Sequence, residues 1–205
     1  MADSLRSNTP SDVYGADQPP RQKLLTVDEF LRMSEHGLLS EEGKHELWDG
    51  RIMMTPPPGN KHMACERRVV EALYDALTAA KLRKQFGVQT GGGIKIGEFN
   101  FRGPDVMIVR LPFDDDDEHP LTGEGVALIV EVASTSLPDD LGEKRGKYAG
   151  AGIAEYWVVD VKRRQLHPFR NPKAGDYPNC EPLAAGATIS PLFAPQITLN
   201  VADLV

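Results

Sequence analysis

The sequence predicts an α/β (α+β) fold in which a central sheet is flanked by helices and preceded by an N-terminal hairpin. Three observations predict it. Val126-Ala127-Leu128-Ile129-Val130-Glu131-Val132-Ala133 is apolar except for one carboxylate and shows no polar alternation, the pattern of a central strand covered on both faces. Val69, Val70, Leu73, Ala76, Leu77 and Ala80 recur at helical spacing ahead of it. Asp49-Gly50 stands between the apolar runs His45 to Trp48 and Arg51 to Met53, a strong hairpin signal.

The elements follow in order. Residues 1 to 23 are rich in Ser, Pro, Asp and Gln, have few aliphatic side chains, and read as a disordered tail. A single domain is expected over 24–205. Thr26-Val27-Asp28-Glu29 forms a capping box that opens a short helix stopping near Gly37. The hairpin puts Glu46 on a strand. Pro56-Pro57-Pro58-Gly59 then breaks the chain before the first long helix. Phe86 to Gln89 and Ile94 to Phe101 read as strands joined through Gly91-Gly92-Gly93, a turn or bulge without phosphate-loop spacing. Pro104-Asp105 leads into the strand Val106 to Val109, with proline at a position that suits a strand's start. After the Glu131 strand, Asp140 and Glu143 read as a capping-box variant for a helix reaching about Gly150. Ala154 to Val161 and Arg164 to Phe169 read as paired strands, and a last strand lies near Ile197 to Val201.

Composition narrows the function. No stretch approaches a membrane span, and Met1-Ala2-Asp3-Ser4 lacks the segments of a signal peptide, so a cytoplasmic protein without membrane association is expected. The cysteines Cys65 and Cys180 have neither disulfide-framework nor zinc-site spacing. Ser134-Thr135-Ser136 lacks a nucleophile elbow. The acidic run Asp114 to Glu118 fails the calcium-loop template and reads as a solvated loop. A net charge of −7 counts against tight nonspecific nucleic-acid binding. Lys61, Arg67, Arg68, Lys81, Arg83, Lys84, Lys144, Arg145 and Lys147 nevertheless leave room for a local basic face. Apolar residues around 189 to 201 offer a surface for a homodimer.

The chemistry converges on Asp105, Glu131 and Lys144. A lone carboxylate inside a two-sided apolar strand is costly, roughly several kcal/mol if unpaired, so Glu131 should bind a cation or carry a proton. Asp105 begins the preceding strand, so both carboxylates can aim at one point. Lys144 shares a helix face with Leu141, Tyr148 and Ala151 and should project toward the sheet. It is either the counter-ion of Glu131 or a catalytic group beside it; Asp105 favours catalysis. The set suits phosphodiester hydrolysis, with Asp105 and Glu131 holding Mg²⁺ or Mn²⁺ and Lys144 orienting or deprotonating water while offsetting phosphate charge. Glu46 is a third carboxylate for the metal, with an exposed strand position as the equal alternative. His62, at the start of the long helix, reads as a cap or a phosphate contact.

The chain also resembles the Uma-two family of restriction-endonuclease-like proteins from about Leu24 onward. The resemblance is carried by Glu46-Leu47-Trp48-Asp49-Gly50, Pro56-Pro57 with His62, Pro104-Asp105, Glu131-Val132-Ala133, Asp140 with Lys144 and Tyr148, and Gly152-Ile153-Ala154-Glu155-Tyr156-Trp157-Val158-Val159-Asp160. It implies a PD-(D/E)XK nuclease core with a mixed central sheet, and a site of Glu46, Asp105, Glu131 and a lysine. Ala133 occupies the usual lysine position, and in the family the lysine has moved to the following helix, which matches Lys144. The expected function is a Mg²⁺ or Mn²⁺ dependent endonuclease acting on nucleic acid, with DNA as the expected substrate. Two alternatives stand beside it: a catalytically silent nucleic-acid or protein binding module of the same fold, and a hydrolase of small phosphoesters.

Overall fold

The structure, a computed structural model, describes residues 22–40, 43–112 and 119–205. The expected tail falls almost wholly on residues 1–21, and the acidic run on 113–118, so both lie outside the described residues. Among the described residues, no helix is long and apolar enough to cross a membrane.

Helix α1 (Val27–Glu35) opens with the reciprocal capping box of Thr26 and Glu29, as the sequence predicts. Strands β1 (Lys44–Trp48) and β2 (Arg51–Thr55) pair antiparallel around Asp49 and Gly50, which have φ of 45° and 76°, as a two-residue hairpin turn requires. Helix α2 (Asn60–Ala79) follows the proline break and buries Cys65, Val69, Leu73 and Leu77. Strand β3 (Phe86–Thr90) comes next. The segment read as one strand, Ile94 to Phe101, is a hairpin of β4 (Ile94–Ile96) and β5 (Asn100–Arg102) turning at Gly97, whose φ is +62°. The three glycines therefore carry the chain from one sheet to another. Gly93 is required there, because a Cβ would collide with the Phe101 ring.

Strand β6 (Val106–Arg110) and β7 (Val126–Ala133) lead into a helical segment. It comprises α3 (Leu137–Asp139), a π-helical turn over Asp140–Lys144, and α4 (Arg145–Gly150). Helicity thus begins before Asp140, at a Pro-containing first turn. Asp140 makes no capping hydrogen bond and is buried inside the segment, so the expected capping box is absent. Strands β8 (Glu155–Asp160), β9 (Gln165–Arg170), β10 (Leu183–Ala184), β11 (Thr188–Ile189) and β12 (Leu199–Asn200), with α5 (Val201–Leu204), complete the described chain.

Six strands form the main sheet in the order β10-β9-β8-β7-β6-β3. Among the described residues of this sheet only β7 and β8 are parallel, joined through the helical segment, so the sheet is mixed as expected. Every residue of β7 is buried. Leu128, Val130 and Val132 pack with the apolar face of α2, whereas Ile129 and Ala133 pack with Tyr148 and Ile153. A second sheet, β2-β1-β5-β4, holds the hairpin beside it.

The C-terminal segment departs from expectation. Ile189, Ile197, Leu199 and Val201 are buried in the core under α2, and the Phe193 ring lies 4.7 Å from that of Phe86. Leu192 remains exposed. Most of the apolar pattern of 189 to 201 thus belongs to this chain's own core.

Candidate active site

The site begins at a corner of chain fixed by Glu46. On β1, Leu47 turns into the small core with Val27 and Phe30, while Glu46 turns the other way and is buried, not exposed. Glu46 Oε2 accepts from Trp48 Nε1 at 2.7 Å, and Oε1 accepts the Gly103 N–H at 2.9 Å. Arg102, fully buried, lies 3.7 Å over the Trp48 ring and 3.8 Å from Glu46, and donates to Glu143 Oε1 at 2.6 Å. These contacts fix Arg102 and Gly103, and Pro104 then sets the entry of Asp105.

Val106 pairs with Val130 across β6 and β7, so the antiparallel register carries Asp105 opposite Glu131. Asp105 Oδ2 accepts the Val132 N–H at 2.8 Å, and Oδ1 lies 3.4 Å from His62 Nε2 in the first turn of α2. Burial works to raise the Asp105 pKa, but the hydrogen bond and charge of His62 and the Val132 amide hold it below the usual carboxylate value. His62 is correspondingly raised, first by its bond to Asp105.

Glu131 is buried beneath the helical segment. Tyr148 Oη donates to its Oε1 at 2.8 Å, and Lys144 Nζ stands 3.1 Å from Oε2. Lys144 Nζ also lies 2.9 Å from Asp140 Oδ1, and Ser136 Oγ donates to the other Asp140 oxygen at 2.6 Å. The π-helical turn sets Asp140 and Lys144 toward the sheet while Glu143 meets Arg102; such turns are frequent at functional sites. Burial pushes the Glu131 carboxyl up to about 8; Lys144 opposes this, and Asp105 and Asp140 add to it. Burial works to lower the Lys144 pKa, but Glu131, Asp140 and Glu46 hold it well above the usual lysine value.

Asp105, Glu131 and Lys144 are thus brought together at the ends of β6 and β7, and Glu46 joins them through Gly103 and through its charge on Lys144. Three residues gain weight over the sequence reading. Asp140 shares Lys144 with Glu131, and its i, i+4 spacing from the lysine was the available signal. His62 contacts Asp105 directly. Lys44, two residues before Glu46, shares its strand face and lies 3.7 Å from Glu46 Oε1. The expected local basic face does not form as one surface. Lys144 is enclosed, Arg145 pairs with Asp176 and Lys147 with Asp49, while Lys81, Arg83 and Lys84 follow the far end of α2 from His62.

Among the described residues, no three His, Cys, Asp or Glu side chains form a ready-made metal cage. The donor set still fits an ion of the Mg²⁺ type, which is commonly held by one or two carboxylates and completed by waters and substrate phosphate. Lys144 stands between Glu131 and Asp140, and Asp105 acts on Glu131 from the neighbouring strand; this crowding of acidic groups, which helps raise Glu131, is what a divalent cation would offset.

The mixed sheet, with carboxylates on adjoining strand ends and a lysine from the following helix, gives the chain a restriction-endonuclease-like fold. The chain belongs to the Uma2 family, whose model, described as "Uma2: Putative restriction endonuclease", matches residues 27–202. Among solved structures it is similar to one described as a "putative nuclease" from Anabaena variabilis, with a TM-score of 0.65 and 20% identity, covering 88% of this chain and 97% of that one. Among curated proteins, none matches.

Proposed function

We propose that this chain is a Mg²⁺ or Mn²⁺ dependent endonuclease that hydrolyses phosphodiester bonds of nucleic acid, DNA first among them. The observation that carries the reading is the register that sets Asp105 opposite Glu131, two carboxylates on neighbouring strands with a charged lysine between Glu131 and Asp140. Asp105 and Glu131 would hold the ion, which would supply charge neutralisation and make a water more acidic. Lys144, held charged by its carboxylate neighbours, donates to the attacking water or to a phosphate oxygen and does not accept a proton. Asp140 and Tyr148 position Lys144 and Glu131. Glu46, both of whose oxygens already accept hydrogen bonds, acts chiefly by fixing the Gly103–Asp105 corner and only secondarily as a ligand.

The test is cleavage of supercoiled plasmid, linear duplex, single-stranded DNA and RNA with Mg²⁺ or Mn²⁺ at low salt, comparing wild type with Asp105→Asn. Cutting by the wild type alone supports the reading; equal cutting by both removes this site. One observation favours a second reading, a catalytically silent binding module. Lys144 is enclosed and already shared by Glu131 and Asp140, as in a structural ion pair. A folded wild type that binds no Mn²⁺ and cuts none of the four substrates supports that alternative.

A further inference from the structure

Lys144 approaches the site from beneath, with only 13% of its side chain exposed. Lys44 approaches from outside, with 42% of its side chain exposed. Its ammonium is anchored on the Gly103 carbonyl and lies 3.7 Å from Glu46 Oε1, the oxygen that also receives the Gly103 N–H. The lysine stem reaches this place by crossing Gly103. A Cβ at Gly103 would collide with Lys44 Cε and stand 3.0 Å from Nζ. The residue just ahead of Pro104-Asp105 is therefore bare where the lysine passes over it. The Lys44 charge acts on Asp105, Glu131 and Glu66 together, so it stands within electrostatic reach of the carboxylates on both strands and on α2. Of the other cations near the helical segment, Arg145 is paired with Asp176, Lys147 with Asp49 and Arg102 with Glu143.

We propose that Lys44 is a further catalytic residue of this site, the solvent-side cation that contacts a non-bridging oxygen of the scissile phosphodiester while Lys144 works from the buried side. The inference rests on the nuclease reading above. Lysine suits the task because it presents a compact charge with several donors, and anchoring on Gly103 leaves donors for a phosphate. Lys44 makes and breaks no bond; it offsets charge.

The test uses full-length Lys44→Gln, which keeps a hydrogen-bonding side chain but removes the charge, and Lys44→Arg, which keeps the charge. Circular dichroism first establishes that each is folded. In plasmid cleavage, Lys44→Gln should lose at least tenfold in kcat/KM, and Lys44→Arg should recover most of it. Binding of a fluorescein-labelled duplex is then compared between Asp105→Asn and Asp105→Asn/Lys44→Gln. Removing one phosphate contact should flatten the plot of log affinity against log salt by about 0.9. Unchanged kcat/KM and unchanged salt slope in Lys44→Gln, with an active wild type, would overturn the role of Lys44 alone. A wild type that neither binds nor cuts nucleic acid overturns the nuclease reading itself, and this inference with it.

Discussion

Asp105, one residue ahead of the Val106–Val130 pair that joins β6 to β7, comes level with Glu131, and its Oδ2 accepts the amide hydrogen of Val132, the next residue along. One carboxylate is thereby fixed by the backbone of the strand that bears the other. Asn at position 105 can still accept from Val132 but loses the charge needed to hold a cation. Asp105→Asn should therefore abolish Mn²⁺-dependent cleavage while shifting stability by no more than about 1 kcal/mol, the usual worth of one hydrogen bond. Cleavage rate and urea midpoint on the same preparations check both halves.

Lys144 is the shared cation of two buried carboxylates, 3.1 Å from Glu131 and 2.9 Å from Asp140. Removing it leaves Asp140, and above about pH 8 the ionised Glu131 as well, without a counter-ion, so at such a pH Lys144→Met should destabilise by about 3–5 kcal/mol. Adding Glu131→Gln should restore part of that loss above about pH 8, because there the second change removes one of the stranded charges. A double-mutant cycle in urea reads the coupling. Strict additivity would mean that the pair is not coupled in solution.

Glu131 gives a dependence of stability on pH. Its carboxyl, raised to about 8 from 4.5, keeps in the folded state a proton that the unfolded chain releases at lower pH. The stability from that proton is full below pH 4.5 and is lost as pH rises toward 8. Glu131→Gln cannot titrate there. The stability of wild type minus that of Glu131→Gln should therefore fall between pH 5 and 8, by on the order of a few kcal/mol at about 1.4 kcal/mol per pH unit. A flat difference across denaturation curves at those pH values would show that Glu131 is not raised.

Local patterns made much of this arrangement legible in the sequence. The unbroken apolar run of β7 marked a strand covered on both sides and singled out Glu131, and helical spacing placed Lys144 on the face that meets it. Thr26 and Glu29 gave the first cap, and Asp49-Gly50 gave the hairpin. What stayed hidden depends on contacts between distant segments. Nothing local ties Glu46 to the Gly103 amide or stacks Arg102 on Trp48. Asp140 has the chemistry of a helix cap, and only a helical start at Leu137 makes it an interior residue. The apolar residues of 189 to 201 have no period that distinguishes a dimer surface from a core lid, and packing under α2 decides between them.

Gly103 offers a separate handle on the corner that holds Asp105. A methyl group there would strike the far end of the Lys44 side chain, which is flexible and half exposed, and would stand 3.4 Å from the Gly92 carbonyl oxygen. The Gly103 N–H, and with it the bond to Glu46, is retained. Gly103→Ala should therefore displace the Lys44 ammonium at little structural cost, within about 1 kcal/mol by thermal or urea unfolding. Cleavage should fall as it does in Lys44→Gln, and the two changes combined should lower activity little further, because both remove the same charge from the same place. A loss in Gly103→Ala that adds in full to that of Lys44→Gln would locate the effect in the backbone at Asp105 instead of in the lysine.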